Sequence, residues 1–325
     1  MKGRSKMKIS VLITTFNGET NILDQLSSIY NQTVLPDEVV VFDDCSTDKT
    51  TSLVSDFIQR NSLTSKWKIV INEKRMGIRN NFLLNTIKLE GDLIFYCDQD
   101  DLWMPSKIQD IKYVYEHNDD FDVVCHNTIG FVDITNKSVK RHYKIKNSDK
   151  LDRVCTIKQI HYGFAPAHAM SMKRSFFELH FQQLSISKAA LDLSIALIAA
   201  SQCKYAILHK VLVKHRIHLN NSSKPVINMR KRVFDISRQL ESRKVKLDLL
   251  INTYSAIEEN LSTSIQKRIQ KTIYKIEKDI IYLTTGKRFS LLLNNLSFEY
   301  MDRRHSLINI AISIFCKFDK SIKNE

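Results

Sequence analysis

The segment Cys97-Asp98-Gln99-Asp100-Asp101 carries three carboxylates within four residues, directly after the apolar run Leu93-Ile94-Phe95-Tyr96. Carboxylates this close repel one another unless a cation or bound ligand neutralises them. Oxygen donors with room for phosphate oxygens suit Mg²⁺ or Mn²⁺, which bind through one or two carboxylates plus a substrate's phosphates. The alternative is an acidic turn capping the next helix, with Leu102-Trp103-Met104-Pro105 as the turn into it. Two more polar clusters bear on the choice. Thr14-Thr15-Phe16-Asn17-Gly18 follows a β-branched run, and Asp43-Asp44-Cys45-Ser46 follows Glu38–Asp43, read EVVVFD.

The elements that must position these clusters alternate. Strands are predicted over 8–14, 38–43, 68–71 and 92–97, with helices over 19–31, 47–60 and 79–89 between them. Such alternation implies βαβ units and a mostly parallel sheet with covered faces, whose ligands sit outside the strands' carboxyl ends. All three clusters fall at those ends. Independent loops would not be expected to gather carboxylates at one rim, and this convergence argues for a site. Further on, strands are predicted over 122–127, 128–134 and 206–213, and an amphipathic helix over 188–201. Residues 136–152 read as a basic polar loop and 165–172 as a small apolar run. After Pro225 the pattern is helical, over 228–254 and 262–285. The boundary near 222–228 divides a 1–224 α/β domain from a basic helical region, 225–325.

With 325 residues, 43% hydrophobic and 26% charged, only 7 Gly and 4 Pro, the composition is globular. The six cysteines are scattered without a C-x-x-C pair and read as buried thiols of a reducing cytoplasm. The basic start lacks the apolar stretch of a signal peptide, and no window is long and apolar enough to span a bilayer. Net charge is +14, and residues 225–325 hold 19 Lys+Arg against 11 Asp+Glu. That surplus suits an anionic partner. Nucleic acid is not expected, because aromatic-plus-basic stacking motifs are missing and an acidic rim repels phosphate unless a cation sits there. Apolar runs and Arg303-Arg304 within Ser290–Phe318 fit either a helix lying on an anionic membrane surface or a helical bundle.

Together, Ile9–Gly18, Ser27–Thr33, Val39–Asp48, Asn72–Gly77 and Gly91–Trp103 resemble the glycosyltransferase family 2 enzymes of GT-A fold, in particular the bacterial rhamnosyltransferase-like branch. The resemblance is dense over 8–110 and thin over 110–223. It implies an inverting transferase that moves a sugar from a nucleotide diphosphate donor to a saccharide or lipid-linked saccharide hydroxyl. Thr14, Phe16 and Asp44 would then hold the base beside Asn17, with Asp44 accepting from a base N–H and Phe16 offering a ring face. Asp98 and Asp100 would form the D-x-D that binds the cation, and Arg79 would lie near the diphosphate. Asp192, opening a helix, would be the catalytic base. Arg216 and His218, from a segment resembling Y-R-x-H-x-x-N, would approach the diphosphate or complete the metal site. Three departures stand out: His215 replaces the aromatic before Arg216, Leu191 replaces the acidic or His neighbour of Asp192, and 161–174 matches poorly. An inactive scaffold of the same fold and a nucleotidyltransferase are the competing readings; the latter would want a glycine-rich, lysine-bearing phosphate loop that Thr14–Gly18 lacks.

Overall fold

The computed structural model describes residues 7–132, 137–139, 147–155, 166–187, 190–217, a few positions between 240 and 251, and 263–285. Its first half is the predicted alternation: β1 (Ile9–Thr15), α1 (Ile22–Tyr30), β2 (Glu38–Asp43), α2 (Thr50–Arg60), β3 (Trp67–Ile71), α3 (Gly77–Thr86) and β4 (Leu93–Cys97). There follow β5 (Leu102–Trp103), α4 (Lys107–His117), β6 (Val123–Val132), β7 (Lys137–Val139), β8 (Leu151–Val154), β9 (Met170–Lys173), α5 (Arg174–Ile186), α6 (Leu191–Ser201), β10 (Tyr205–Arg216) and α7 (Thr263–Thr285).

These strands form one 10-stranded sheet of order β3-β2-β1-β4-β9-β6-β10-β5, with β7 on β6 and β8 on β10. The ladders joining β3, β2, β1 and β4 are parallel, as is that between β6 and β10. β5, β7, β8 and β9 run against them. Every residue of β1 and β4 is buried, as expected for parallel strands covered on both faces. Successive side chains alternate between two cores. Val11, Ile13, Phe95 and Cys97 pack with α1, α2 and α4, whereas Leu12, Ile94 and Tyr96 pack with α3, α5 and α6. The result is a three-layer α/β/α sandwich. Because β1 has β2 on one side and β4 on the other, the order reverses at β1, and a crevice opens at the carboxyl ends there.

The second half corrects several expectations. Residues 123–132 form one continuous strand, and the loop expected over 136–152 contributes β7 and the start of β8. Leu102–Trp103 is not part of a turn: it pairs with Val213 and Lys214 of β10. Helix α5 was not anticipated, although Phe176, Phe177, His180 and Leu184 give it a buried face. Cys155 and Cys203 are joined as a disulfide. The pairing of Val154 with Tyr205 sets the two cysteines side by side, a proximity that their separation of 48 residues conceals. Cys45, Cys97 and Cys125 are free thiols. The boundary near 222–228, most of the helix expected over 228–254 and the basic tail 290–318 lie outside the described residues. Buried Arg243 pairs with Asp279 of α7. No described helix is long and apolar enough to cross a membrane.

Gly91, just ahead of β4, sets how closely β4 can approach β1. Its N–H donates to Ser10 Oγ at 2.8 Å, and a Cβ there would lie 2.5 Å from that oxygen and 2.6 Å from the Ser10 nitrogen. Backbone cannot move aside as a side chain can. Gly91→Ala is therefore expected to lower unfolding free energy by about 1–3 kcal/mol, the usual cost of overpacking, as read by urea denaturation.

Candidate active site at the β1–β4 crevice

Register brings the three polar clusters to one rim. Thr15 lies opposite Asp43, and Ile13 opposite Cys97, so Phe16, Asp44 and Asp98 each stand just past a strand end. The turns there are tight. Asn17 and Cys45 adopt positive φ of 48° and 65°, a region non-glycine residues seldom occupy and one that concentrates at functional sites. Asp43 holds the rim together, accepting from Thr15 Oγ1 at 2.8 Å and from the Ser46 N–H at 2.7 Å. Asn17 Oδ1 accepts from the Thr47 N–H at 2.9 Å. Thr14 is buried within the ladder.

Gln99, the middle residue of the D-x-D, clasps Phe16. Its Oε1 accepts the Phe16 N–H at 2.8 Å and its Nε2 donates to the Phe16 carbonyl at 3.2 Å. This two-way amide bond locks the ends of β1 and β4 together. The ring of Phe16 lies under the Arg75 guanidinium, 3.7 Å from the ring centroid.

Asp44 does not cap the helix that follows it in sequence. Asp48 does so, accepting from the Thr50 N–H and hydroxyl. The buried Asp44 carboxylate instead accepts from the N–H groups of Met76 at 2.7 Å and Gly77 at 2.8 Å, and from Asn72 Nδ2 at 3.1 Å. It thereby caps α3, whose own first turn carries no acidic residue. Gly77, at φ 76°, makes that approach possible.

The acidic triplet divides its labour. Asp98 and Asp100 are partly exposed at the rim. Asp101 is fully buried: its Oδ1 accepts from His215 Nδ1 at 2.9 Å and from the Arg216 N–H at 3.0 Å. His168, on the 3₁₀ turn Ala167–Ala169 before β9, donates Nδ1 to Asp98 Oδ2 at 3.1 Å. Asp101 Oδ2 lies 3.2 Å from the same nitrogen without taking its hydrogen, which leaves that oxygen buried and without a hydrogen bond. The rings of His168 and His215 stack 4.7 Å apart at 14°. Burial disfavours charge on both Asp101 and His168, yet their mutual attraction wins. The Asp101 carboxyl is held below, and the His168 imidazolium above, its ordinary value. Beneath them Lys107 donates to the His168 carbonyl at 2.7 Å and rests on the Trp103 ring. Burial pulls its pKa down to about 7 against the opposing influence of Cys97, Asp101 and Asp98.

Asp192 lies in the first turn of α6, within electrostatic influence of Asp98 and His168. Burial pushes its carboxyl up, the N–H groups of Leu193 and Ala167 offset part of the rise, and the Asp98 charge adds to it. The expected base and the D-x-D thus share one electrostatic environment.

Two arginines act differently from the expectation. Arg79 turns Nη2 to the carbonyls of Leu184 and Ser187 at the end of α5, at 2.6 and 2.7 Å, and so ties α3 to α5. Arg216 is buried: Nε bonds the Asp100 carbonyl at 2.8 Å and Nη2 the Asp24 carboxylate at 2.9 Å, which makes it a strut under the acidic loop. His218 lies outside the described residues.

The residues present fit a divalent cation. Asp98 and Asp100 are half-exposed at the rim, Asp101 Oδ2 is buried without a hydrogen bond, and ligand atoms of Asp101, His168 and His215 lie within 4.8 Å of one another, the two histidines each bonded to a carboxylate through Nδ1. Sequence reasoning missed His168, which falls in the poorly matching 161–174 stretch, and gave no role to Asp101 or Lys107. His215 had registered only as a departure.

The Asp44 cap is directly testable. Asp44→Ala strands the Met76 and Gly77 donors and is expected to lower stability by about 1–3 kcal/mol, with Asp44→Asn, which keeps an acceptor oxygen, costing less; urea unfolding of both variants reads it.

The family model for glycosyl transferase family 2 matches residues 10–181, more than half of the chain. An uncharacterized glycosyltransferase of Nostoc sp. is 26% identical over 220 residues, 66% of each chain. The poly(ribitol-phosphate) beta-N-acetylglucosaminyltransferase TarS of Staphylococcus aureus is 34% identical over 118 residues, covering 35% of this chain and 20% of that one. The matches thus span between 20% and 66% of these relatives' own length. The crystal structure of TarS 1–349 in complex with UDP is similar with a TM-score of 0.57 at 18% identity, covering 87% of this chain and 91% of that one. For the mannosyltransferase PcManGT from Pyrobaculum calidifontis, in complex with GDP-Man and Mn²⁺, the TM-score is 0.51 at 14% identity over 93% and 79%. The chain has the GT-A fold and belongs to glycosyl transferase family 2.

Proposed function

We propose that this chain is an inverting glycosyltransferase that moves a sugar from a nucleoside diphosphate donor to a hydroxyl of a saccharide or lipid-linked saccharide acceptor, in bacterial surface polysaccharide or oligosaccharide synthesis. The observation that carries the reading is Asp192: a half-buried carboxylate in the first turn of α6 with a raised pKa, within electrostatic reach of Asp98 at the β1–β4 crevice. TarS with UDP and PcManGT with GDP-Man and Mn²⁺ support a nucleotide donor and a divalent ion.

In this reading the base stacks near Phe16, whose backbone the Gln99 clasp holds still. Asp98 and Asp100 hold Mg²⁺ or Mn²⁺, which supplies positive charge to the departing diphosphate. The Asp192 carboxylate takes the proton of the acceptor hydroxyl as its oxygen bonds the anomeric carbon. The bond from that carbon to the diphosphate breaks on the opposite face, and the nucleoside diphosphate leaves with the electron pair. A carboxyl with raised pKa is the stronger base once ionised. The basic 225–325 region, in the same reading, approaches anionic lipid, and co-sedimentation of the full chain with anionic vesicles at low salt tests that part.

A thermal-shift panel of UDP, GDP and dTDP, each with and without Mn²⁺, is expected to show one nucleotide stabilising the protein, and more so with Mn²⁺; no response to any of them would end the proposal. Asp192→Asn is expected to lower kcat by about 10²–10⁴-fold with nucleotide affinity unchanged. The proton acceptor is the ionised form, so the rate falls as pH drops through its pKa. Because that pKa is raised, the acid limb of kcat should lie above the ordinary aspartate value of about 3.9.

A further inference from the structure

We propose that His168 is a positioning residue of the acidic rim: its side chain, held by the turn that carries it, fixes Asp98. The inference rests on the role given above to Asp98. Three contacts converge on this one residue. Nδ1 donates to Asp98 Oδ2 at 3.1 Å and lies 3.2 Å from Asp101 Oδ2. The ring stacks on His215, which is itself bonded to the other oxygen of Asp101. The carbonyl accepts from buried Lys107 at 2.7 Å. The Ala169 N–H closes the turn on the Pro166 carbonyl at 2.9 Å.

Each contact restrains a different degree of freedom. The carboxylate bonds set the torsion of Asp98, the stack fixes the plane of the imidazole, and the Lys107 bond fixes its backbone. A rotation of Asp98 away from His168 would break the hydrogen bond of a buried Nδ1, whose other neighbour, Asp101 Oδ2 at 3.2 Å, does not take its hydrogen. Asp98 is therefore held ready for a cation before one arrives. Groups that orient metal-binding carboxylates in this way typically change metal affinity or activity by 10–100-fold when removed.

The test uses the full chain, UDP as the probe and calorimetry with and without Mn²⁺, beside donor turnover. His168→Ala is expected to leave cation-free UDP affinity near wild type, to weaken the gain on adding Mn²⁺ by about tenfold, and to lower kcat, with donor KM in Mn²⁺ rising in step with the lost gain. His168→Asn, whose amide N–H stands the same number of bonds from the backbone as Nδ1–H, should recover most of both. The proposal is overturned if the alanine variant keeps the Mn²⁺ gain and kcat, or if asparagine does no better than alanine at equal melting temperature. Should the alanine variant fail to fold, His168→Gln, with its N–H one bond farther out, replaces it; asparagine and glutamine performing alike would overturn the idea. A wild-type protein that binds none of UDP, GDP or dTDP with Mn²⁺ refutes the transferase reading before any variant is made, and this inference with it.

Discussion

A carboxylate sealed from water organises this molecule's working end. Asp101 cannot be hydrated, so its charge has to be met from within the protein. His215, the Arg216 N–H and His168 meet it, and they come from β10 and from the turn before β9. Those partners can reach Asp101 only if β9, β6 and β10 extend the sheet beyond β4 in the observed order. The second half of the sheet is thereby pinned to the acidic loop of the first. Arg216 adds a second tie through the Asp100 carbonyl and Asp24. Asp98 and Asp100, both half-exposed, stand at the rim.

The N-terminal half was legible because parallel strands buried on both faces are written as unbroken apolar runs, as β1, β2 and β4 are, and even the half-exposed edge strand β3 keeps Ile69-Val70-Ile71. The position of the rim followed from the same runs. What could not be read was pairing across long separations. The bond between His168 and Asp98 joins residues 70 apart, and Cys155 meets Cys203 only because β8 lies against β10. Residues 161–174 carry no periodicity that sets His168 apart from an ordinary core histidine. Lys107 looked like any helix-start cation, yet it is buried under the turn it supports.

The two arginines show how residue type misleads when context is missing. A guanidinium near a phosphate-binding loop invites a role as an anion clamp. Here Arg79 bonds the carbonyls that close α5, and Arg216 braces β10 against the loop. Both place hydrogen-bond donors where backbone acceptors would otherwise be unsatisfied. Asp44 plays the mirror role for the amide groups opening α3.

The Gln99 clasp has a consequence for molecular size discrimination. Phe16 and the carboxylates on either side of Gln99 belong to different strands, yet the reciprocal amide bond makes them a single stiff unit. In the proposed reading, a cleft built this way would act as a fixed caliper, its aromatic and anionic jaws held at one span whatever the length of the guest. Selection by linker length would then come from rigidity of the backbone, independent of which heterocycle or which hexose sits at either end.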